Sequence, residues 1–275
     1  MPSGRYLAGM QIALTALLVA SVAISMGVIG SEFVRVFVSQ ERTPLSRSTL
    51  SRLISEWGAL MLLTLSAPLA LLPSRPRRPI TAGPPRPPVL LVPGYGLHRL
   101  SFIPMAAYLR RRQNRWVWAI NNPSWRDDIS AFSRALEEAV ERMRRQSGSA
   151  EVDIIGHSMG GIVAAHYINT SGAGIVRRLV TLGTPWRGTR MHIFGIGRQS
   201  RSLGPSSPQI EAITPVAAPV TALWTRTDTV ILPTHHATFD GATAIELENQ
   251  GHVAMMFSLK TMRAVEAALT SGGEE

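Results

Sequence analysis

The 275-residue chain reads as an α/β protein: a mostly parallel central sheet with helices on both faces, preceded by one or two membrane-crossing helices. Three observations predict this. From Pro88 onward short apolar runs alternate with amphipathic stretches, several of those runs end in glycine-rich turns, and two long apolar segments come before them. Strands alternating with helices are the pattern of a parallel sheet covered on both sides.

The first apolar segment, "LAGMQIALTALLVASVAISMGVIG" from Leu7 to Gly30, carries no charge and is long enough to cross hydrocarbon as a helix. It exceeds the roughly 7 to 15 apolar residues of a signal peptide, which predicts an uncleaved anchor. The second, "WGALMLLTLSAPLALLP" from Trp57 to Pro73, is shorter and contains Pro68, so it either spans or lies in the interface. An N-terminal membrane region over 1–74 is expected, with helices at about 7–30 and 55–73. A connector with Glu32, Arg35, Glu41, Arg42, Arg47 and Arg52 joins them, and a stiff Pro/Arg-rich linker, 75–87, leads to the domain at 88–275. A two-helix hairpin keeps the N-terminus and the domain on one side. Arg75, Arg77, Arg78 and Arg86 then place that domain in the cytoplasm, at the inner membrane, by the positive-inside rule. A single span at the first segment would turn the domain outward.

Within the domain, "PVLLVPGYG", "RWVWAINN", "VDIIGH", "VRRLVTLGTP", "PVTALWT" and "TAIELEN" read as strands. "SFIPMAAYLRRRQ", "DDISAFSRALEEAVERMRRQSG", the stretch after Ser158 and "MFSLKTMRAVEAALT" read as helices. The long second helix opens on acidic residues and closes on basic ones and Gly148, as the helix dipole and a glycine cap require. The absence of cysteine excludes disulfides and thiolate metal sites. The net charge of +10 is almost all arginine, Lys260 being the only lysine. It is scattered and accompanied by no nucleic-acid motif, so a membrane partner is expected and a nucleic acid is not.

In parallel sheets ligands bind at the carboxyl ends of the strands. "PGYG" (Pro93–Gly96), "GHSMGG" (Gly156–Gly161), Asp228 and His252 all follow strands. A serine hydroxyl becomes a nucleophile when it is exposed, faces a base and has donors ready for the oxyanion. A sharp strand-to-helix turn lifts Ser158 and aims the free N–H groups of the following helix at the reaction centre. Gly156 and Gly160 fit because a side chain at either would collide in the tight turn. "GHSMG" is therefore a G-x-S-x-G turn in the context that this motif needs. His235 and His236 are alternative bases and Asp240 an alternative acid. His157 and His166 are expected to be packing or surface residues, and "HHATFD" matches no metal-ligand spacing, so no metal is expected.

From about Pro88 to the last helix the sequence resembles the α/β-hydrolase superfamily, and within it the small triacylglycerol lipases and esterases. The resemblance rests on "PVLLVPGYG", "VDIIGHSMGG", "VTLGTPWRGT", "TDTVILP" and "NQGHVAMM". It implies a nucleophile–acid–histidine order matched by Ser158, Asp228 and His252, an oxyanion hole made of the Tyr95 and Met159 backbone N–H groups, and no cofactor. The implied activity is hydrolysis of lipid, acylglycerol or small esters. A thioesterase or acyltransferase would use the same three residues, and a non-catalytic membrane scaffold could keep the fold. Pro93 and Trp186 stand where many members carry histidine, which bears on substrate range. The segment from Trp186 to Pro215 is where this fold usually inserts a lid; an amphipathic flap or a plain loop is expected there.

Overall fold

The apolar runs form six strands: β1 (Val89–Val92), β2 (Val117–Ala119), β3 (Val152–His157), β4 (Val176–Leu182), β5 (Val220–Trp224) and β6 (Thr243–Glu246). In the computed structural model, which describes residues 3–39, 46–80, 86–123 and 126–271, they make one sheet in the order β2-β1-β3-β4-β5-β6. All five neighbouring pairs are parallel, so the sheet is wholly rather than mostly parallel. The helices are α1 (Ser3–Ser39), α2 (Arg47–Ser66), α3 (Ile103–Arg112), α4 (Ile129–Ser147), α5 (Met159–Tyr167), two short turns α6 (Gly197–Arg201) and α7 (Pro208–Glu211), and α8 (Leu259–Thr270).

Period-2 alternation divides each central strand between two apolar layers. Leu90, Val92, Val152 and Ile154 face the layer that holds Phe132 and Leu136 of α4 and Ile162 of α5. Val89, Leu91 and Ile155 face the opposite layer, with Met105 and Leu109 of α3 and Val265 and Leu269 of α8. Burial on both faces is why these strands read as unbroken apolar runs. The exception is Asp153, fully buried in the central strand β3. Arg177 donates to both its oxygens (3.0 and 2.6 Å) and Arg115 to Oδ2 at 2.5 Å. α4 starts on Asp128, whose side chain accepts from the Ala131 N–H at 2.9 Å, and ends on Gly148 at φ 72°.

The N-terminal helices extend beyond their sequence-expected limits. α1 runs on through Glu32 and Arg35, which pair with each other, and α2 begins at Arg47 rather than near 55 and ends in a 3-10 turn over Ala67–Leu71. Polar residues that read as connector thus join two helices: Arg52 of α2 pairs with Glu32 of α1 at 2.9 Å, and Trp57 Nε1 donates to Ser25 Oγ at 3.1 Å. By length and composition both helices could cross a membrane. α2, however, lies against the α/β unit along its whole length. Asn249 donates to Ser48 O at its start, Asn121 donates to Ala70 O just past its end, and Ala59 and Leu63 join the core layer of α3 and α8. Arg77 of the linker forms an antiparallel bridge with Val117 of edge strand β2. Glu41 and Arg42 of the connector and residues 81–85 of the linker lie outside the described residues.

Removing one partner of a buried ion cluster leaves the others uncompensated. Asp153→Ala is expected to destabilise the fold by about 3–5 kcal/mol, read as a lowered denaturation midpoint of the purified chain. An unchanged midpoint would show that Arg115 and Arg177 find solvent or other partners.

Candidate active site

At the carboxyl end of β3 the chain turns straight into α5, and Ser158 sits between them at φ 53°, ψ −126°. A non-glycine residue at positive φ costs about 1–3 kcal/mol unless its surroundings hold it. Here both backbone groups are held: the Ser158 N–H donates to Leu182 O at 2.8 Å, and the Thr184 hydroxyl donates to Ser158 O at 2.9 Å. The glycines around it are needed because neighbouring elements touch the turn. A Cβ on Gly160 would lie 2.2 Å from Val92 O of β1, and one on Gly156 2.6 Å from the Gly161 backbone of α5. Gly161, which stands in the same glycine run but for which the sequence offered no separate reason, backs onto Thr184, the residue that holds the Ser158 carbonyl.

Asp228 and His252 meet beside this turn. His252 Nδ1 donates to Asp228 Oδ2 at 2.8 Å, and Asp228 Oδ1 accepts from the Val230 and Ile231 N–H groups, both at 2.8 Å. The aspartate is thereby fixed by backbone, and the histidine leaves Nε2 without the proton in its neutral form. The link to the serine runs through β4. A Cβ on Gly183, which follows the Leu182 carbonyl bound by Ser158, would lie 3.1 Å from Asp228 Oδ2 and 3.2 Å from His252 Nδ1. His157, before the serine, donates from Nε2 to His252 O at 2.8 Å, with ring centroids 4.8 Å apart. Ser158 Oγ makes no hydrogen bond among the described residues. Such bonds are often long before substrate arrives.

Electrostatics separate the two histidines. Burial alone would lower the His252 imidazole, but the charge and hydrogen bond of Asp228, with the charge of Glu56, hold it above its ordinary value. Burial and the neighbouring His252 push His157 down to about 3, so it stays neutral and donates. His157 is thus a buried residue satisfied by the His252 backbone. His166 lies between α4 and α5, near Ser133 Oγ at 3.1 Å.

Met159 is the first residue of α5, where a helix leaves its N–H groups without internal partners. The Tyr95 N–H likewise finds no acceptor among the described residues, and Gly94 before it backs onto Ser158, a Cβ there lying 2.8 Å from Ser158 Cβ. The alternative acid and bases lie elsewhere: Asp240 is fully exposed, 3.6 Å from Arg187, and His236 Nδ1 donates to Gly188 O. His235 stacks edge-on against His236. In the segment after β4 the apolar Ile193, Phe194 and Ile196 are each about two-thirds exposed. It is tied down through Tyr95, whose hydroxyl donates to Ile196 O at 2.7 Å and accepts from Ile196 N at 2.8 Å. Trp186 is buried against Phe239. A cavity of about 1090 Å³ lies away from these groups, between the linker, α3 and β2.

The sequence profile of the alpha/beta hydrolase family matches residues 89–270. The chain belongs to that family. Among solved structures the hydrolase resembles the mature Bacillus licheniformis lipase BlEst2, with 15% identity over 70% of this chain and 96% of that one and a TM-score of 0.60. It also resembles Aspergillus fumigatus lipase B (16% identity, 70% of this chain, 55% of that one, TM-score 0.55) and a bacterial membrane phospholipase A described as a virulence factor (17%, 78%, 91%, 0.50). At such identities these likenesses establish the fold of the hydrolase and leave its chemistry to the site.

In this hydrolase Gly160→Ala would force Cβ into the Val92 carbonyl. The variant is expected to lose at least about 1–3 kcal/mol of stability, measured by denaturation, because β1 and α5 must separate. An unperturbed variant would mean that the contact of α5 with β1 is looser than the structure has it.

Proposed function

We propose that this hydrolase is a membrane-anchored serine esterase acting on lipid or acylglycerol esters through Ser158, His252 and Asp228. One observation supports this above all: a serine in strained backbone at the head of α5, beside a buried histidine already bonded to a backbone-fixed aspartate. His252 Nε2 takes the Ser158 proton as Oγ attacks the ester carbonyl, and the Tyr95 and Met159 N–H groups hold the oxyanion. The same proton leaves with the alcohol, and water then releases the acyl group by the reverse route. No cofactor enters these steps. Each oxyanion donor contributes about 2.7–4 kcal/mol to the transition state.

The lipid assignment draws on the apolar flap at 193–196, on the N-terminal helices, and on the lipases and the membrane phospholipase A among the similar structures. Ser158 and His252 are both buried, so substrate entry needs some element to move, and we take the exposed segment held by Tyr95 as that element. We take 1–74 as the N-terminal region, 75–87 as the linker and 88–275 as the hydrolase domain. α1 is the membrane span, while α2, docked from Ser48 to Ala70 on the domain, is not. The outward placement expected for a single span assumes an N-terminus kept inside, and Arg5 is the one basic residue before the span that would keep it there. Arg42, Arg47 and the linker arginines outweigh it, which favours the cytoplasmic face of the inner membrane.

A fluorophosphonate probe is expected to label the wild type and not Ser158→Ala. Asp228→Asn should lower kcat about 10⁴-fold with the fold intact; an unchanged rate would remove the acid role from Asp228. Since His252 must be neutral to accept the proton and its value is raised, kcat/KM should fall as pH drops through a value above about 6.5, that of a free histidine. A profile flat to pH 4 would contradict this base. Protease access to labelled membranes from each side checks the orientation.

A further inference from the structure

α2 reaches three of the loops that carry the site. Arg52 Nη1 donates to Thr227 O at 3.4 Å, one residue before Asp228, and His98 Nε2, in the loop that begins with Tyr95, donates to Leu63 O at 3.0 Å. Between them Glu56 is buried, with its carboxylate on the two residues after His252. It accepts the Val253 N–H at 2.8 and 3.0 Å and the Ala254 N–H at 2.8 Å. Gly251 leaves the space, since a Cβ there would lie 2.2 Å from Glu56 Oε2. Among the described residues no lysine or arginine pairs with Glu56; Arg52, one turn earlier, is paired with Glu32 of α1 instead. A buried carboxylate without a cation is costly unless donors and a nearby positive charge offset it. Two amides are the donors. The charge is the imidazolium that His252 becomes when it takes the serine proton.

We propose that Glu56 is a positioning residue for His252, fixing the loop that carries the imidazole and stabilising its protonated form, so that α2 completes the active site rather than merely tethering it. This rests on the reading of His252 as the base. The groups facing that imidazole are Asp228 after β5, His157 at the end of β3 and Glu56 from α2. His157 stays neutral across the working range, so the two carboxylates set the charge. Burial pushes the Glu56 carboxyl itself up, and the Ala254 and Val253 amides and the His252 charge oppose that.

The test uses the full chain in detergent and Glu56→Gln, which keeps the shape and one acceptor oxygen but removes the charge. kcat/KM on a p-nitrophenyl ester should fall about 10- to 100-fold. The acid limb of its pH profile, and the NMR titration of the His252 ring protons assigned with His252→Asn, should both move to lower pH. Glu56→Asp, which keeps the charge but on a shorter side chain that withdraws it from the loop, should move both to lower pH by a smaller amount. A folded Glu56→Gln whose titration and acid limb coincide with wild type overturns the proposal. If Glu56→Gln does not fold, Glu56→Asp is read alone: a lower His252 titration supports the role, and coincidence with wild type overturns it. A wild type with neither turnover nor probe labelling sinks the hydrolytic reading, whereas the His252 titration needs no turnover and still decides whether Glu56 acts on the imidazole.

Discussion

The backbone of Ser158, held at φ 53° between β3 and α5, is the constraint to which the surrounding elements answer. It persists because Leu182 and Thr184 of the adjoining β4 segment bind its N–H and C=O, and because α5 comes close enough to β1 and β3 that only glycine fits at the contacts. The central position of β3 follows from this. β1 on one side brings Gly94 and Tyr95, and β4 on the other brings Gly183 against the His252–Asp228 pair. A strand at the edge of the sheet would have had only one such neighbour.

Buried charge is handled differently at the two ends of β3. At its start Asp153 is matched by two arginines, Arg177 of β4 and Arg115 just before β2. At its end the charges are carboxylates around a histidine, with backbone amides taking the oxygens that the imidazole does not. The first end is neutralised permanently. The second meets a cation only when the imidazole carries a proton, so its electrostatics depend on the protonation of His252.

The N-terminal region divides by the same physics. α2 turns Thr49, Arg52, Glu56, Ala59 and Leu63, spaced three and four residues apart, toward the domain, while Leu50, Ile54, Leu62 and Leu65 remain exposed. Such a helix packs one face on the domain, with α1 beside it, and leaves an apolar face exposed. The exposed Ile193, Phe194 and Ile196 add a second apolar element, joined through Tyr95 to the loop that follows β1. The exposed segment and the turn at the serine are therefore linked through one tyrosine, Tyr95, whose neighbour Gly94 backs onto Ser158.

The sequence by itself determined the alternation of strands and helices, the turn at Ser158 and the order of Ser158, Asp228 and His252 along the chain, because period, glycine placement and strand ends are local properties. It also held the caps of α4, Asp128 and Gly148, in plain view. Only the tertiary structure decided that Asp228, not Asp240, lies beside His252, since the two differ in burial and not in local pattern. The same holds for His157 against the His252 carbonyl, Gly161 against Thr184, and Asp153 between its arginines. Glu56 was the least legible, because hydropathy averages a lone carboxylate away within an apolar helix, and its meaning comes from amides nearly two hundred residues further along the chain.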